Sequence, residues 1–296
     1  MVLAAFAEAL QRQLPETRVI LRAIPGGNVE LSAAMVAETE PAGLLMGPVD
    51  MESIIAKLGG AEIYDISQFH IVGALGRDID LFVGSIEAGV TSIDSLRARS
   101  EPAIMPVRAT SSGAYFQGLL TNALLGTRIL PVTGYDSGAR ELAFRSGEAQ
   151  VVNAGVSPAS RYIEDGVGTI LFQFSRGAIP EALGRPVYLD ELDYDPAYAW
   201  IIDFFEASAL ENTLAVSLDT PPALLEELRT AVAAAAADPA YISAAADLLT
   251  LDFVPGAEVE ERIQSVLAGS GSFAASINRA MDCGRHIAET GEACGP

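Results

Sequence analysis

Short runs of Val, Ile and Leu alternate along the chain with stretches whose apolar residues recur every three or four positions. The runs at 17–24, 43–47, 69–75, 80–84, 103–108, 128–133, 149–154, 169–174 and 213–217 read as strands. Most lack an alternating polar position, the pattern of strands covered on both faces. Between them lie helical patterns. Leu3, Phe6, Leu10 and Leu14 form one stripe opposite Glu8, Arg12 and Gln13. Asp50 precedes Met51, Ile54, Ile55 and Leu58, again one apolar face. Ser157 before Pro158 and Asp238 before Pro239 place a capping side chain ahead of a proline, and Thr220, Pro221 and Pro222 open a helix over 223–237.

Strand and helix alternating in this way predict an α/β fold with two mainly parallel sheets flanked by helices. The pattern has two halves, the second opening where TSIDSL follows LFVGS. The C-terminal third reads as one strand followed by long helices that need a sheet to cover. Two lobes joined by two crossovers satisfy this: residues 1–83 with 214–296, and residues 84–213. Closure is expected as a hinge near Gly84 and Thr213. The length of 296 residues agrees with about two domains.

Composition narrows the partners. There are 39 acidic residues against 18 basic ones, a formal charge of -21, which argues against nucleic acid or an anionic membrane surface. Half of the residues are hydrophobic, so the acidity is not that of a disordered tail. No run of about 18 purely apolar residues exists to span a bilayer. All basic residues but Lys57 are arginine, which fits either a GC-rich genome or a salt-tolerant surface. Cys283 and Cys294, as CGRHIAETGEAC, fit a short disulfide in an exported protein or two free thiols near the end of the chain. No metal site is expected there, since only His286 lies nearby.

Catalytic signatures are absent. His70 lies within an apolar strand and His286 in the tail, and no GxSxG, HExxH, GxxxxGK[ST] or GxGxxG occurs. The expectation is a binding protein, without cofactor. Three small-residue loops join a strand to a helix: IPGGN at 24–28, VRATSSGAY at 107–115 and TGYDSG at 133–138. Each presents backbone N–H groups at a helix N-terminus, where an anion is favoured. Loops beyond the carboxyl ends of strands share a crevice in open α/β sheets, so a small carboxylate is the expected guest.

The segments PGGN, AAMVAETEPAGLLMG, YDISQFHIVGAL, VRATSSG, NALLGTRILPVTGYDSGARELAFRSGEAQ and TPPALLEELRTAVAAAAADPAY resemble the substrate-binding receptors of tripartite tricarboxylate transporters, the Bug proteins. The resemblance runs from about Val2 to Leu267. It implies a two-lobed periplasmic-binding-protein fold of type II kind, monomeric and periplasmic, which closes on a small organic acid and delivers it to a pair of membrane permease subunits. Carried over by position, Thr110, Ser111, Ser112 and Gly113 hold a ligand carboxylate from the second lobe. Tyr135 and Asp136 select its distal end, and Pro25, Gly26, Gly27 and Asn28 close from the first lobe. An ionised Asp136 would repel an anion unless it reads an amine or hydroxyl, which argues against a plain tricarboxylate. The resemblance also implies an export signal, a first strand and a Gly-rich loop ahead of the helix at 2–14. Their absence before Met1 is expected to reflect either a mis-assigned start or a truncated, non-binding copy. The other readings are a receptor that reports to a sensor, and an enzyme on the same scaffold acting on an organic acid.

Overall fold

The apolar run at 69–75 does form a strand, and the other elements fall around it in a computed structural model that describes residues 2–22, 29–39, 45–49, 68–110, 112–185, 187–246, 250–268 and 270–294. In chain order they are α1 (Val2–Gln13), α2 (Val29–Ala37), β1 (Gly47–Val49), β2 (Phe69–Arg77), β3 (Asp80–Ser85), α3 (Ile93–Arg97), β4 (Ala103–Val107), α4 (Gly113–Leu125), β5 (Ile129–Thr133) and α5 (Ser137–Arg145). There follow β6 (Val151–Gly155), α6 (Val156–Glu164), β7 (Gly168–Gln173), α7 (Trp200–Ser208), β8 (Leu210–Ser217), α8 (Pro222–Ala236), α9 (Pro239–Ala245), β9 (Thr250–Pro255), α10 (Gly256–Ala268) and α11 (Ser270–Thr290).

Two compact units result. Unit 1 comprises residues 1–78 and 207–268, and unit 2 comprises 79–206 and 269–296. The chain thus divides after Asp78, Glu206 and Ala268, not at the expected 83/84 and 213/214. Gly84 and Thr213, the expected hinge positions, lie inside β3 and β8. Residues 269–296 join unit 2 because α11 packs along α4, so closely that a Cβ on Gly284 would stand 2.0 Å from the Leu119 carbonyl oxygen.

In unit 1 the strand order is β1-β8-β2-β9. The predicted stripe of α1 is realised: Phe6 and Leu10 are buried with Val72 and Leu75 of β2, Leu225, Leu228 and Val232 of α8, and Tyr241 of α9. Burial of each large apolar side chain contributes about 2 kcal/mol. Phe6 meets Tyr241 edge to face at 5.3 Å. Asp238 caps α9 as expected, accepting from Ala240 N at 2.8 Å, with Pro239 in the first turn. Its other oxygen accepts from Arg12 at 2.8 Å, which with the cap holds the carboxyl at about 2, below its ordinary 3.8. A carboxyl depressed on folding stabilises the fold above its ordinary value, and that contribution disappears as pH falls through 2. Arg12→Met is therefore expected to flatten the fall in melting temperature between pH 4 and 2, read from melts across that range.

Unit 2 contains the order β6-β3-β7 and the pair β4-β5. Gln150 ties the two pieces: its carbonyl accepts from Ser85 N, and its N–H donates to the Ile104 carbonyl. Its side-chain oxygen accepts from Ile104 N at 2.9 Å. Leu81, Val83, Phe144, Val152 and Tyr162 form one core cluster, and Phe82 stacks on Phe172 at 5.0 Å.

Several expectations are corrected here. The α/β class is realised, but the sheets are not mainly parallel. β1, β2, β8 and β9 pair antiparallel, β3 runs against both β6 and β7, and among the described residues the parallel pairings are β4–β5 and a single bridge of Gln173 to Tyr188. In each unit the strand arriving from the other, β3 or β8, is laid between strands of opposite direction. An apolar run reports burial on both faces and says nothing of direction. Residues 17–22 make no strand: Val19 N–H donates to Gln11 Oε1 at 2.9 Å, and Ile20 is 70% exposed. β9, Thr250–Pro255, is an additional strand in the C-terminal third. The cap of α6 is Gly155 and not Ser157, and Thr220 donates to the Ser217 carbonyl instead of capping α8. The expected helix after Asp50 lies outside the described residues.

Cys283 and Cys294 are bonded, with Cα atoms 5.6 Å apart. The bridge holds the tail against α11 across a sequence separation of 11. Restricting a loop of that length in the unfolded chain contributes roughly 2 to 3 kcal/mol. Cys294→Ser is expected to lower the melting temperature of the oxidised protein to that of the reduced wild type, with no further fall on adding reductant.

Candidate functional site

Strands β4, β5 and β6 release into helices at the same end of unit 2, and the small residues between them shape that end. The loops that follow β4 and β5 start side by side, joined by Tyr135 N to Val107 O at 3.1 Å and Gly134 N to Arg108 O at 3.2 Å. Gly134 takes φ +106, a conformation only glycine adopts readily. Ser112 stands at the N-cap of α4 and Gly113 begins the helix. The first N–H groups of a helix have no acceptor within it, so an acceptor placed here meets free donors and the positive end of the dipole.

Each expected site residue has a definite place. Thr110 is exposed on the loop. Ser112 Oγ donates to the Ala109 carbonyl at 2.7 Å and its N–H to the same oxygen at 3.1 Å, so both of its protons are committed within the loop. The backbone from Gly113 onward is thus the better carboxylate donor. Tyr135 donates its phenol proton to Glu148, and this bond raises its pKa above the ordinary tyrosine value. Asp136 is the N-cap of α5, its Oδ1 accepting from Ala139 N at 2.8 Å. That bond explains an acidic residue at this position without a ligand, and a cap of this kind contributes about 1 kcal/mol. Asp136→Ala is expected to cost about that much, measured by denaturant unfolding. Pro25, Gly26, Gly27, Asn28 and Ser111 lie outside the described residues.

Sequence reasoning missed a polar network at the same end. Gln117, one turn into α4, donates its amide to Asp80 Oδ2 at 2.7 Å and accepts from Asn153 Nδ2 at 2.8 Å. Arg140 of α5 donates through Nη2 to the Asn153 carbonyl at 2.7 Å and also to Asn153 Oδ1. Desolvation raises the Asp80 carboxyl above its usual range, against the opposing pull of Gln117 and Arg140, and desolvation lowers the Arg140 guanidinium. The Nε of Arg140 is buried without a partner among the described residues. The four side chains come from α4, α5, β3 and β6, and no spacing in the sequence links them.

A cavity of about 1220 Å³ opens at the opposite end of α4, around Leu125 and Gly126. Tyr194, Tyr198, Trp200, Arg97, Arg279 and the disulfide contribute to its wall. Trp200 is half-buried there. Among the described residues none from the strand-end loops of β4, β5 or β6 lines this cavity, so the donors described above belong to a separate end of the unit. His70, expected to be packed within its strand, is part-buried on β2 with Nδ1 3.3 Å from Glu260 Oε1. Among the described residues no cluster of His, Cys, Asp or Glu could hold a metal ion, and no helix is long and apolar enough to cross a membrane.

No model of a known protein family matches the chain, and no curated protein matches it in sequence. Its fold is that of solved periplasmic solute-binding proteins. A TctC solute-binding protein from Polaromonas superimposes with a TM-score of 0.77 at 17% identity, covering 94% of this chain and 92% of that one. The periplasmic binding protein BugD gives 0.59 at 16% identity, with 94% and 92% covered. MatC from Rhodopseudomonas palustris, solved with bound malate, gives 0.57 at 17% identity, with 95% and 92% covered.

Proposed function

We propose that this chain is an extracytoplasmic solute-binding receptor that captures a small organic carboxylate and delivers it to the permease subunits of a tripartite tricarboxylate-type transporter. It works as a periplasmic monomer and catalyses no reaction. The observation that carries this reading is the paired strand-end loops of unit 2, which bring the N-termini of α4 and α5 to one end of a fold shared with a malate-binding protein. The carboxylate would be held by main-chain donors from Gly113 onward, with Thr110, Ser111 and Ser112 beside them. Tyr135 and Asp136 would contact the distal end, and Pro25, Gly26, Gly27 and Asn28 would supply the grip of unit 1. The formal charge of -21 is compatible with an anionic ligand, because affinity at a site follows the local donors.

Thermal melts with malate, adipate and citrate test this. A ligand present at 100 times its dissociation constant stabilises the folded state by about 2.7 kcal/mol, so a true ligand gives a melting shift that keeps growing with concentration. Failure of every organic acid to move the melt, or turnover of any of them, would overturn the reading.

A further inference from the structure

The network of Asp80, Gln117, Arg140 and Asn153 has no part in the carboxylate grip described so far, yet it stands at the same end of unit 2. Gln117 follows Gly113 by one turn on α4, and Arg140 follows the Asp136 cap by one turn on α5. Nη2 of the guanidinium serves both oxygens of Asn153, and Asn153 is held in turn by Gln117, which is held by Asp80. This chain of bonds fixes the fork in orientation. It leaves Nε–H buried with no acceptor among the described residues. A buried donor without a partner is destabilising, and a guanidinium donor is best satisfied by a carboxylate.

We infer that Arg140 is the specificity-determining cation of this receptor, offering its Nε–H and its charge to one carboxylate of the bound acid, while the negative charge of Asp80, linked to it through Gln117 and Asn153, weakens the hold on the anion. The inference rests on the carboxylate-receptor reading and deepens it: the preferred ligand is a charged acid, not its neutral amide, and Arg140 sets that preference. A strut that merely joined α5 to β6 would contribute equally to both ligands.

Isothermal titration with malate and adipate, and with their diamides malamide and adipamide, separates the two roles. Arg140→Met is expected to weaken acid binding roughly 10- to 100-fold, the size of a charge-assisted hydrogen bond, and to weaken the diamides several-fold less, since an amide carbonyl accepts only the neutral part of that bond. Asp80→Asn keeps the shape and the bond from Gln117 but removes the competing charge, and is expected to tighten acid binding several-fold. Equal losses for acid and diamide in Arg140→Met, or no loss, would overturn the inference while wild-type binding keeps the receptor reading intact. If Arg140→Met does not fold, Asp80→Asn decides, and unchanged or weaker acid binding there refutes the role. Binding of neither acid by the wild type would remove the receptor reading and this inference with it.

Discussion

Asn122→Leu is expected to destabilise unit 2 by roughly 3 to 5 kcal/mol, more than any other single polar substitution considered. Asn122 is 0% exposed and uses its whole side chain. Nδ2 donates to the carbonyls of Ile129 at 2.8 Å and Gly284 at 3.0 Å, while Oδ1 accepts from Ile129 N at 2.8 Å and Thr127 Oγ1 at 3.0 Å. Leucine has a similar volume but would strand four buried polar groups, each costing about 1 to 3 kcal/mol when uncompensated, with partial relief as the site relaxes. Asn122→Asp is a sharper probe, because it keeps the acceptor and the shape while setting a carboxylate oxygen against two carbonyls. Denaturant unfolding should place both variants well below wild type. A tolerated Asp would mean that the two donated bonds contribute little. Because α4 also carries Gly113 and Gln117, ligand binding is expected to fall as this anchor is lost.

Gly284→Ala should cost about 3 kcal/mol through collision alone. The added Cβ would lie 2.0 Å from Leu119 O and 2.7 Å from Leu119 C, and backbone atoms cannot rotate away as a side-chain tip can. The helices α4 and α11 would have to separate, disturbing the Gly284 carbonyl that Asn122 binds. In a unit of this size each kcal/mol moves the melt by about 2 to 4 °C, so a fall near 10 °C is expected. Gly126→Ala is the control. Gly126 has φ +63 with nothing near its would-be Cβ, so only the left-handed strain of about 1 kcal/mol applies. The double variant of Asn122 and Gly284 should lose less than the sum of the singles, since both break the α4–α11 contact.

These two residues show how differently sequence signals translate. NALLGT is among the segments that most resemble the tricarboxylate receptors, and Asn122 opens it. In the structure that asparagine is an internal fastener and not a ligand contact. GEAQ behaves likewise, with Gln150 joining two pieces of sheet and Glu148 accepting a hydrogen bond from the Tyr135 hydroxyl. Capping was legible where one side chain and one proline suffice, as at Asp238, because the cap is a bond across two or three residues. At Ser157 the same local signature misled, since Gly155 ends β6 directly into α6.

What the sequence determined by itself is what local spacing and burial can encode: the alternation of strand and helix, the apolar stripe of α1, the strand-end loops at 107–113 and 133–138, and the closeness of two cysteines in the chain. Strand direction, the transfer of 269–296 to unit 2 and the meeting of Asp80, Gln117, Arg140 and Asn153 were decided by tertiary structure alone. An apolar run is equally content in a parallel or antiparallel ladder, and a glycine is silent about which backbone will press against it. Residues 80, 117, 140 and 153 share no periodicity. They converge because four separate elements deliver them to one end of unit 2, and only the packing of those elements makes them neighbours.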